Sequence, residues 1–323
     1  MGEELRPSPA AATPLVVVIA TYQRRAILDR ALAALAAQTR RDFRIVVVDD
    51  GSTDGSSELL AARAAEARAD GGIAIEALRQ ENAGQGRARN LALSRVSEES
   101  SIVLFLGDDV IAHPGLVAEH HAAREGASGA RSVVGFIDWC RAGMKVTPAL
   151  EMVNREGHQF GYAHMLDGAE VPFTCFYTSN VSVPRRELGV DPFDPSFHGY
   201  GWEDVELGYR LEQRGVRLHY HRAAAVEHLH PMTLADLFRR QREVGAGLPT
   251  LLALHPGLTG SPLLSPIEPP AWFSLGKRLL PALVPLLSAL DARSLPLGRR
   301  LLHRILICGY YLGLERSRAG LSA

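Results

Sequence analysis

The sequence predicts an α/β fold, a Rossmann-like and mostly parallel sheet with helices on both faces, followed by a C-terminal helical extension. Three observations carry that prediction. Short runs of β-branched and aliphatic residues recur at 15–20, 44–48 and 102–106, the pattern of strands buried on both faces. Stretches with helical spacing of apolar residues alternate with them, joined by short loops. Two of the runs end at acid pairs, Asp49-Asp50 and Asp108-Asp109. That places carboxylates at the carboxyl edge of the sheet, where open α/β folds bind ligands.

The elements follow in order. The first strand, 15–20 (LVVVIA), breaks into Thr21-Tyr22-Gln23-Arg24-Arg25. Ile27, Leu28, Ala31, Leu32 and Leu35 then predict a helix over 27–37. The second strand, 44–48, runs into Asp49-Asp50-Gly51-Ser52-Thr53-Asp54, and a helix over 56–69 comes next. A third strand at 73–78 leads through Asn82-Ala83-Gly84-Gln85-Gly86 to a helix over 87–96. The fourth strand stops at Gly107, and Pro114 favours the start of a helix over 116–124. Beyond it a strand is expected at 132–137, no assignable pattern over 138–170, and an alternating strand at 173–183 carrying Asn180. His198-Gly199-Tyr200-Gly201-Trp202-Glu203-Asp204 precedes a helix over 205–214. Short strands at 216–221 and 223–227 lead to His228-Leu229-His230-Pro231 and a basic helix at 234–254. A Pro-, Leu- and Ser-rich stretch at 249–270 reads as a linker. Residues 272–290 and 297–314 read as apolar helices interrupted by arginines.

Three parts are expected: a loose tail (1–13), a catalytic domain (14–255), and a linker with helical extension (256–323). At 323 residues the chain has room for an ample core. A formal charge of −1 gives no long-range attraction to nucleic acid. Cys140, Cys175 and Cys308 are scattered, without C-x-x-C spacing, which fits a reducing, cytoplasmic setting. The tail lacks the apolar stretch of a signal peptide, and no charge-free run of 18 apolar residues predicts an ordinary membrane span.

Each candidate residue has two readings. Asp108 and Asp109 side by side repel unless a cation lies between them, and Mg²⁺ or Mn²⁺ bridging carboxylates to a phosphate is one solution; a helix cap in a solvated loop is the other. Gly84 at a helix start leaves backbone N–H groups for an anion, and Arg87 and Arg89 could add charge-assisted bonds or form a plain surface pair. The run from Gly84 to Arg89 is not a dinucleotide fingerprint, because Arg89 stands at the third glycine position. Asp204 at a helix start favours the carboxylate form, as an ordinary cap does. His228 and His230, two apart, point the same way in a strand, as metal ligands or as structural residues.

Together the segments VVVIATYQR, VVVDDGSTD, NAGQGRARN, FLGDDVIAHPG, GYGWEDVELGYRL and VEHLHP resemble, in order, the inverting family 2 glycosyltransferases of GT-A fold. The resemblance covers about residues 14–250. It implies a nucleotide pocket at Ala20, Thr21 and Tyr22 with Arg24 nearby. Asp50 accepts from the base, most often uracil of a UDP-sugar, while Asp49 and Asp54 are structural. Gly84 and Arg89 approach the nucleotide from the other side. Asp108 and Asp109 match the last two positions of the D-x-D metal motif, Asp109 and His228 are the implied Mg²⁺ or Mn²⁺ ligands, and His230 is the second choice. Gly107 replaces the first Asp of that motif, which implies a weaker hold on nucleotide or metal.

The same resemblance implies Asp204 as general base, with Asn180, Trp202 and Glu203 toward the acceptor. The expected reaction is inverting transfer from a nucleotide-sugar to a hydroxyl of a glycan, a lipid-linked molecule or a secondary metabolite, as in polysaccharide biosynthesis. The alternative is a nucleotide-sugar-binding or nucleotidyltransferase-like protein without glycosyl transfer. For residues 270–323 two expectations stand. They pack on the catalytic domain or a second subunit, or they lie on the inner membrane surface with Arg278, Arg299, Arg300 and Arg304 at the headgroups.

Overall fold

The computed structural model describes residues 14–97, 101–125, 130–162, 165–197, 201–264, 266–295 and 297–320. The expected tail and the His198-Gly199-Tyr200 part of the acidic motif lie outside the described residues. Strands β1 (Leu15–Thr21), β2 (Phe43–Asp49), β3 (Ile75–Arg79) and β4 (Ile102–Gly107) are parallel, in the order β3-β2-β1-β4. Helices α1 (Arg25–Ala36), α2 (Ser56–Ala69) and α3 (Gln85–Leu93) make the crossovers. The aliphatic runs of β1, β2 and β4 are buried along almost their whole length, because helices cover both faces.

The second half of the sheet is mixed. After β4 the chain turns at Asp108-Asp109 into β5 (Val110–Ala112), then α4 (Leu116–Ala122) and β6 (Arg131–Trp139). Next come α5 (Pro148–Glu156), β7 (Asn180–Pro184), α6 (Glu203–Gln213) and β8 (Arg217–His228). The sheet ends β4-β7-β6-β8-β5, with β7 antiparallel to β4 and β6, and β5 antiparallel to β8.

Several expectations are corrected here. The three-residue β5 and helix α5 have too short a pattern, or too mixed a context, to stand out in the sequence. Residues 173–183 are not one strand: Phe173–Cys175 form a 3-10 turn and the strand begins at Asn180. The two short strands at 216–227 are one, β8, whose partner register on β6 jumps between Gly135 and Phe136. Helix α7 (Leu234–Leu254) has the expected bounds and runs through Pro249, held by buried Leu248 and Leu251, so the first residues of the Pro-rich stretch at 249–270 are helical.

Helices α8 (Phe273–Ala292) and α9 (Arg299–Arg318) complete the chain. Helix α9 packs on α7 with backbone nearly touching backbone. A Cβ on Gly245 would lie 1.9 Å from Tyr310 O, and one on Gly313 1.9 Å from Arg242 O. Only glycine permits that approach. Around it Leu237, Leu248, Leu251, Ile305, Leu306 and Leu314 build a second core.

Candidate active site

The carboxyl ends of β1, β2 and β4 and the starts of α3, α6 and α7 surround one cleft of about 960 Å³. Its walls include Ala20, Thr21, Tyr22, Arg24, Asp50, Gly84, Arg89, Asp108, Asp109, Trp202, Glu203, Asp204, His228 and His230. Segments far apart in the chain therefore converge at the sheet edge where α/β folds bind ligands.

One end of the cleft is built on Asp50, which is buried at the end of β2. Its Oδ1 accepts from Gln80 Nε2 (2.7 Å) and Ala83 N (2.9 Å), and its Oδ2 from Gly84 N (2.9 Å). These bonds fix the loop that leads into α3. Asp49 and Asp54 serve local structure. Asp49 Oδ1 accepts from Ser52 N (2.9 Å), and Asp54 Oδ2 accepts from Arg25 N (2.8 Å) at the start of α1.

The turn after β4 holds the acid pair. Asp108 Oδ2 accepts from Thr21 Oγ1 (2.7 Å), and Arg24 Nη1 reaches Asp108 Oδ1 (3.1 Å) and also Asp109. Burial and the neighbouring charge of Asp109 push the Asp108 carboxyl up to about 6. Burial also works against ionisation of Asp109. There His228, His230 and Arg24 prevail and hold the carboxyl well below the usual range.

The histidines reach this point through strand pairing. Val110 of β5 lies opposite His228 at the end of β8, and Leu229 N donates to Asp109 O (2.7 Å). His228 Nε2 is 3.2 Å and His230 Nδ1 2.6 Å from Asp109 Oδ2. The His228 ring stacks on Trp139 with centroids 5.3 Å apart, which orients it although its buried Nδ1 has no partner among the described residues. The three donor atoms lie within 4.8 Å of one another. One carboxylate oxygen and two imidazole nitrogens fit a divalent ion such as Mn²⁺, and suit Mg²⁺, which favours oxygen ligands, less well. Gly107 is tied to this geometry, since a Cβ there would lie 2.7 Å from Asp109 Oδ1.

The other wall is the start of α6. Trp202 adopts φ +76°, uncommon for a bulky residue, and its Nε1 donates to Val244 O of α7 (2.6 Å). That anchor aims the first turn of α6 at the cleft. Glu203 is buried, with Oε1 accepting from Arg89 Nη1 (3.2 Å) and Gln85 Nε2 (2.5 Å), while Oε2 has no partner among the described residues. Burial, then the charge of Glu203, raise the Asp204 carboxyl from 3.8 to about 7, only partly opposed by Arg89. A carboxyl poised there can exchange a proton near neutral pH.

Asn180 is a correction. It does not line the cleft: it is fully buried and its amide donates to Ala224 O (2.9 Å) and Phe136 O (3.2 Å). Its Oδ1 pairs with His120 Nε2 at 2.9 Å. The side chain closes the irregularity where β6 and β8 change register, so its polar atoms are used inside the sheet. The sequence reading also missed Asp236, Arg239, Arg240 and Glu243, which line the cleft from α7. Their i, i+3, i+4, i+7 spacing is the signal that could have found them.

Known proteins resemble this chain in sequence and in fold. The chain is 34% identical over 248 residues to validoxylamine A glucosyltransferase of Streptomyces hygroscopicus subsp. limoneus, covering 67% of this chain and 52% of that protein. It thus spans about half the length of that relative. The structure resembles mannosyltransferase PcManGT from Pyrobaculum calidifontis, solved with GDP-Man and Mn²⁺, at a TM-score of 0.62 and 18% identity. That match covers 100% of this chain and 92% of the other. It also resembles GalNAc-T7, solved with UDP, GalNAc and Mn²⁺, at a TM-score of 0.52 and 17% identity, covering 79% and 53%. The fold is of the GT-A type expected. The family model "Glycosyl transferase family 2" matches residues 16–178, and the chain belongs to that family.

Proposed function

We propose that this protein is an inverting glycosyltransferase that moves a sugar from a nucleotide-diphosphate sugar to an acceptor hydroxyl, with Asp204 as general base. The observation that supports it is the placement of two unlike acid sites in one cleft. Asp109, ionised beside two histidines, is one, and Asp204, a half-buried carboxyl raised to about 7, is the other.

The chemistry follows from the demands of the bond broken. Asp109, His228 and His230 would hold a divalent ion, which when bound supplies Lewis-acid stabilisation of the leaving nucleoside diphosphate. Asp50, Gly84 and Arg89 line the part of the cleft assigned to the nucleotide. Asp204 takes the proton of the acceptor hydroxyl as its oxygen bonds to the anomeric carbon. The bond to the diphosphate oxygen breaks on the opposite face, so the configuration inverts. Trp202 offers an apolar face to a sugar ring, and Glu203 Oε2, without a partner among the described residues, an acceptor for a sugar hydroxyl.

Incubation with a series of UDP- and GDP-sugars and glycan, lipid-linked and small-molecule acceptors tests the reading. Nucleoside diphosphate should be released faster with acceptor present, stop in EDTA and return with Mn²⁺. Binding without release would instead indicate a nucleotide-sugar-binding protein, and pyrophosphate release a nucleotidyltransferase. Full activity in chelator would remove Asp109, His228 and His230 as metal ligands.

A further inference from the structure

Helix α8 inverts the usual pattern of a surface helix. Its buried side is sparse, consisting of Phe273, Val284, Leu287 and Asp291, and its outer face is aliphatic. Leu275, Leu279, Leu283 and Leu286 are 67, 56, 42 and 60% exposed. Their spacing, with Ala282 and Ala289 between and beyond them, puts them on one side of the helix. Four adjoining leucines in water form a patch that marks an interaction surface.

Charge selects the occupant. Between residues 269 and 314 there are six Lys and Arg residues and a single acid, Asp291, so this segment carries +5 in a chain of formal charge −1. Asp291 is buried, its Oδ1 accepting from Ala149 N at 2.9 Å, so it neutralises nothing on the outer face. Arg278 and Arg293 flank the leucines on the exposed side. Arg300, at the start of α9, is exposed too, and these three pair with no carboxylate among the described residues. Arg304 lies over the Trp272 ring at 5.9 Å, beside a cleft of about 770 Å³ that Arg300 also lines.

An aliphatic stripe edged by unpaired arginines is the arrangement by which a helix lies in the headgroup region of an anionic bilayer. A second copy of the chain would bring like charge against like charge. By length and composition α8 could cross a membrane. The Asp291 bond to Ala149 and the packing of Phe273 and Leu287 hold it along the protein surface instead. We infer that the Leu275–Leu279–Leu283–Leu286 face of α8, with Arg278, Arg293 and Arg300, docks the protein on an anionic lipid surface. This stands independently of the transferase reading.

The test uses the full chain and vesicles of phosphatidylcholine, with or without phosphatidylglycerol, in a sedimentation assay. The parent should sediment with the anionic vesicles and remain largely in solution with the neutral ones. Replacing Arg278, Arg293 and Arg300 together by Gln should weaken binding about a hundredfold at low salt, at roughly fivefold per arginine. Replacement by Lys should restore it. Leu279→Asp with Leu283→Asp should abolish binding and leave thermal unfolding unchanged, because both side chains face solvent. Equal sedimentation of the parent and the double Asp variant overturns the inference. So does a parent that ignores anionic vesicles and, by light scattering, is a dimer that the double Asp variant dissociates.

Discussion

Replacing Asp204 with asparagine should make the protein more stable and far less active. The magnitude follows from its surroundings. Burial and Glu203 move the carboxyl from 3.8 to about 7. At 1.36 kcal/mol for each tenfold change in proton affinity, that corresponds to roughly 4 kcal/mol against the ionised folded form. Below pH 3.8 the group is protonated in folded and unfolded chains alike and contributes nothing. Between 3.8 and about 7 the unfolded chain loses its proton first, so stability falls as pH rises, and above that range the full penalty remains. Asparagine keeps an oxygen for the Val205 N–H, which Asp204 Oδ1 accepts at 2.8 Å, and carries no charge. Urea unfolding near pH 8 should therefore place Asp204→Asn about 2–4 kcal/mol above the parent, a gap that narrows toward zero near pH 4. Transfer measured on the same samples should fall by about 10²–10⁴. In the parent, kcat/KM should rise roughly tenfold per pH unit up to about pH 7. A carboxylate that served only the helix start would behave oppositely, since removing it costs about 0.3–1 kcal/mol. A variant less stable than the parent and near-normal in turnover would refute both the electrostatic argument and the catalytic assignment.

Three other outcomes are expected. Gly107→Asp rebuilds the D-x-D pattern, but its Cβ would lie 2.7 Å from Asp109 Oδ1, so it should displace that carboxylate and weaken Mn²⁺ binding measured by calorimetry. Tighter binding would show that the site tolerates the acid. Asn180→Ala strips partners from Ala224 O, Phe136 O and His120, and should cost about 3 kcal/mol in urea unfolding with KM unchanged. A raised KM at full stability would return Asn180 to the binding residues. Arg89→Met removes the cation that holds the Asp204 carboxyl down, so the rising limb of the pH–rate profile should move to higher pH. An unmoved limb would uncouple the two.

Much of the fold was legible because its signals are local. Aliphatic runs such as 15–20 and 44–48 must be buried on both faces, and β1 and β2 are; the helical spacing of 234–254 matches α7 residue for residue. The acids at strand ends were legible for the same reason, since a strand that stops at Asp49 or Gly107 leaves the next residues at the sheet edge. The role of Asn180 was not. An alternating strand shows which face a residue takes, and nothing in it says that Ala224 O and Phe136 O lack partners where β6 and β8 slip.

By itself, then, the order of residues determined the strands, the helices that cover them and the side chains available for chemistry, because burial and periodicity act within a few residues. Tertiary structure alone decided which of those side chains meet. The pairing of β5 with β8 carries His230 to Asp109 across 121 positions, and the Trp202 bond to Val244 turns Asp204 toward the same cleft. It also decided that α9 seats on α7 at Gly245 and Gly313, and that α8 turns Phe273, Val284 and Leu287 inward and leaves Leu275, Leu279, Leu283 and Leu286 outside. Those choices depend on which surfaces compete for one another, and no local pattern records that competition.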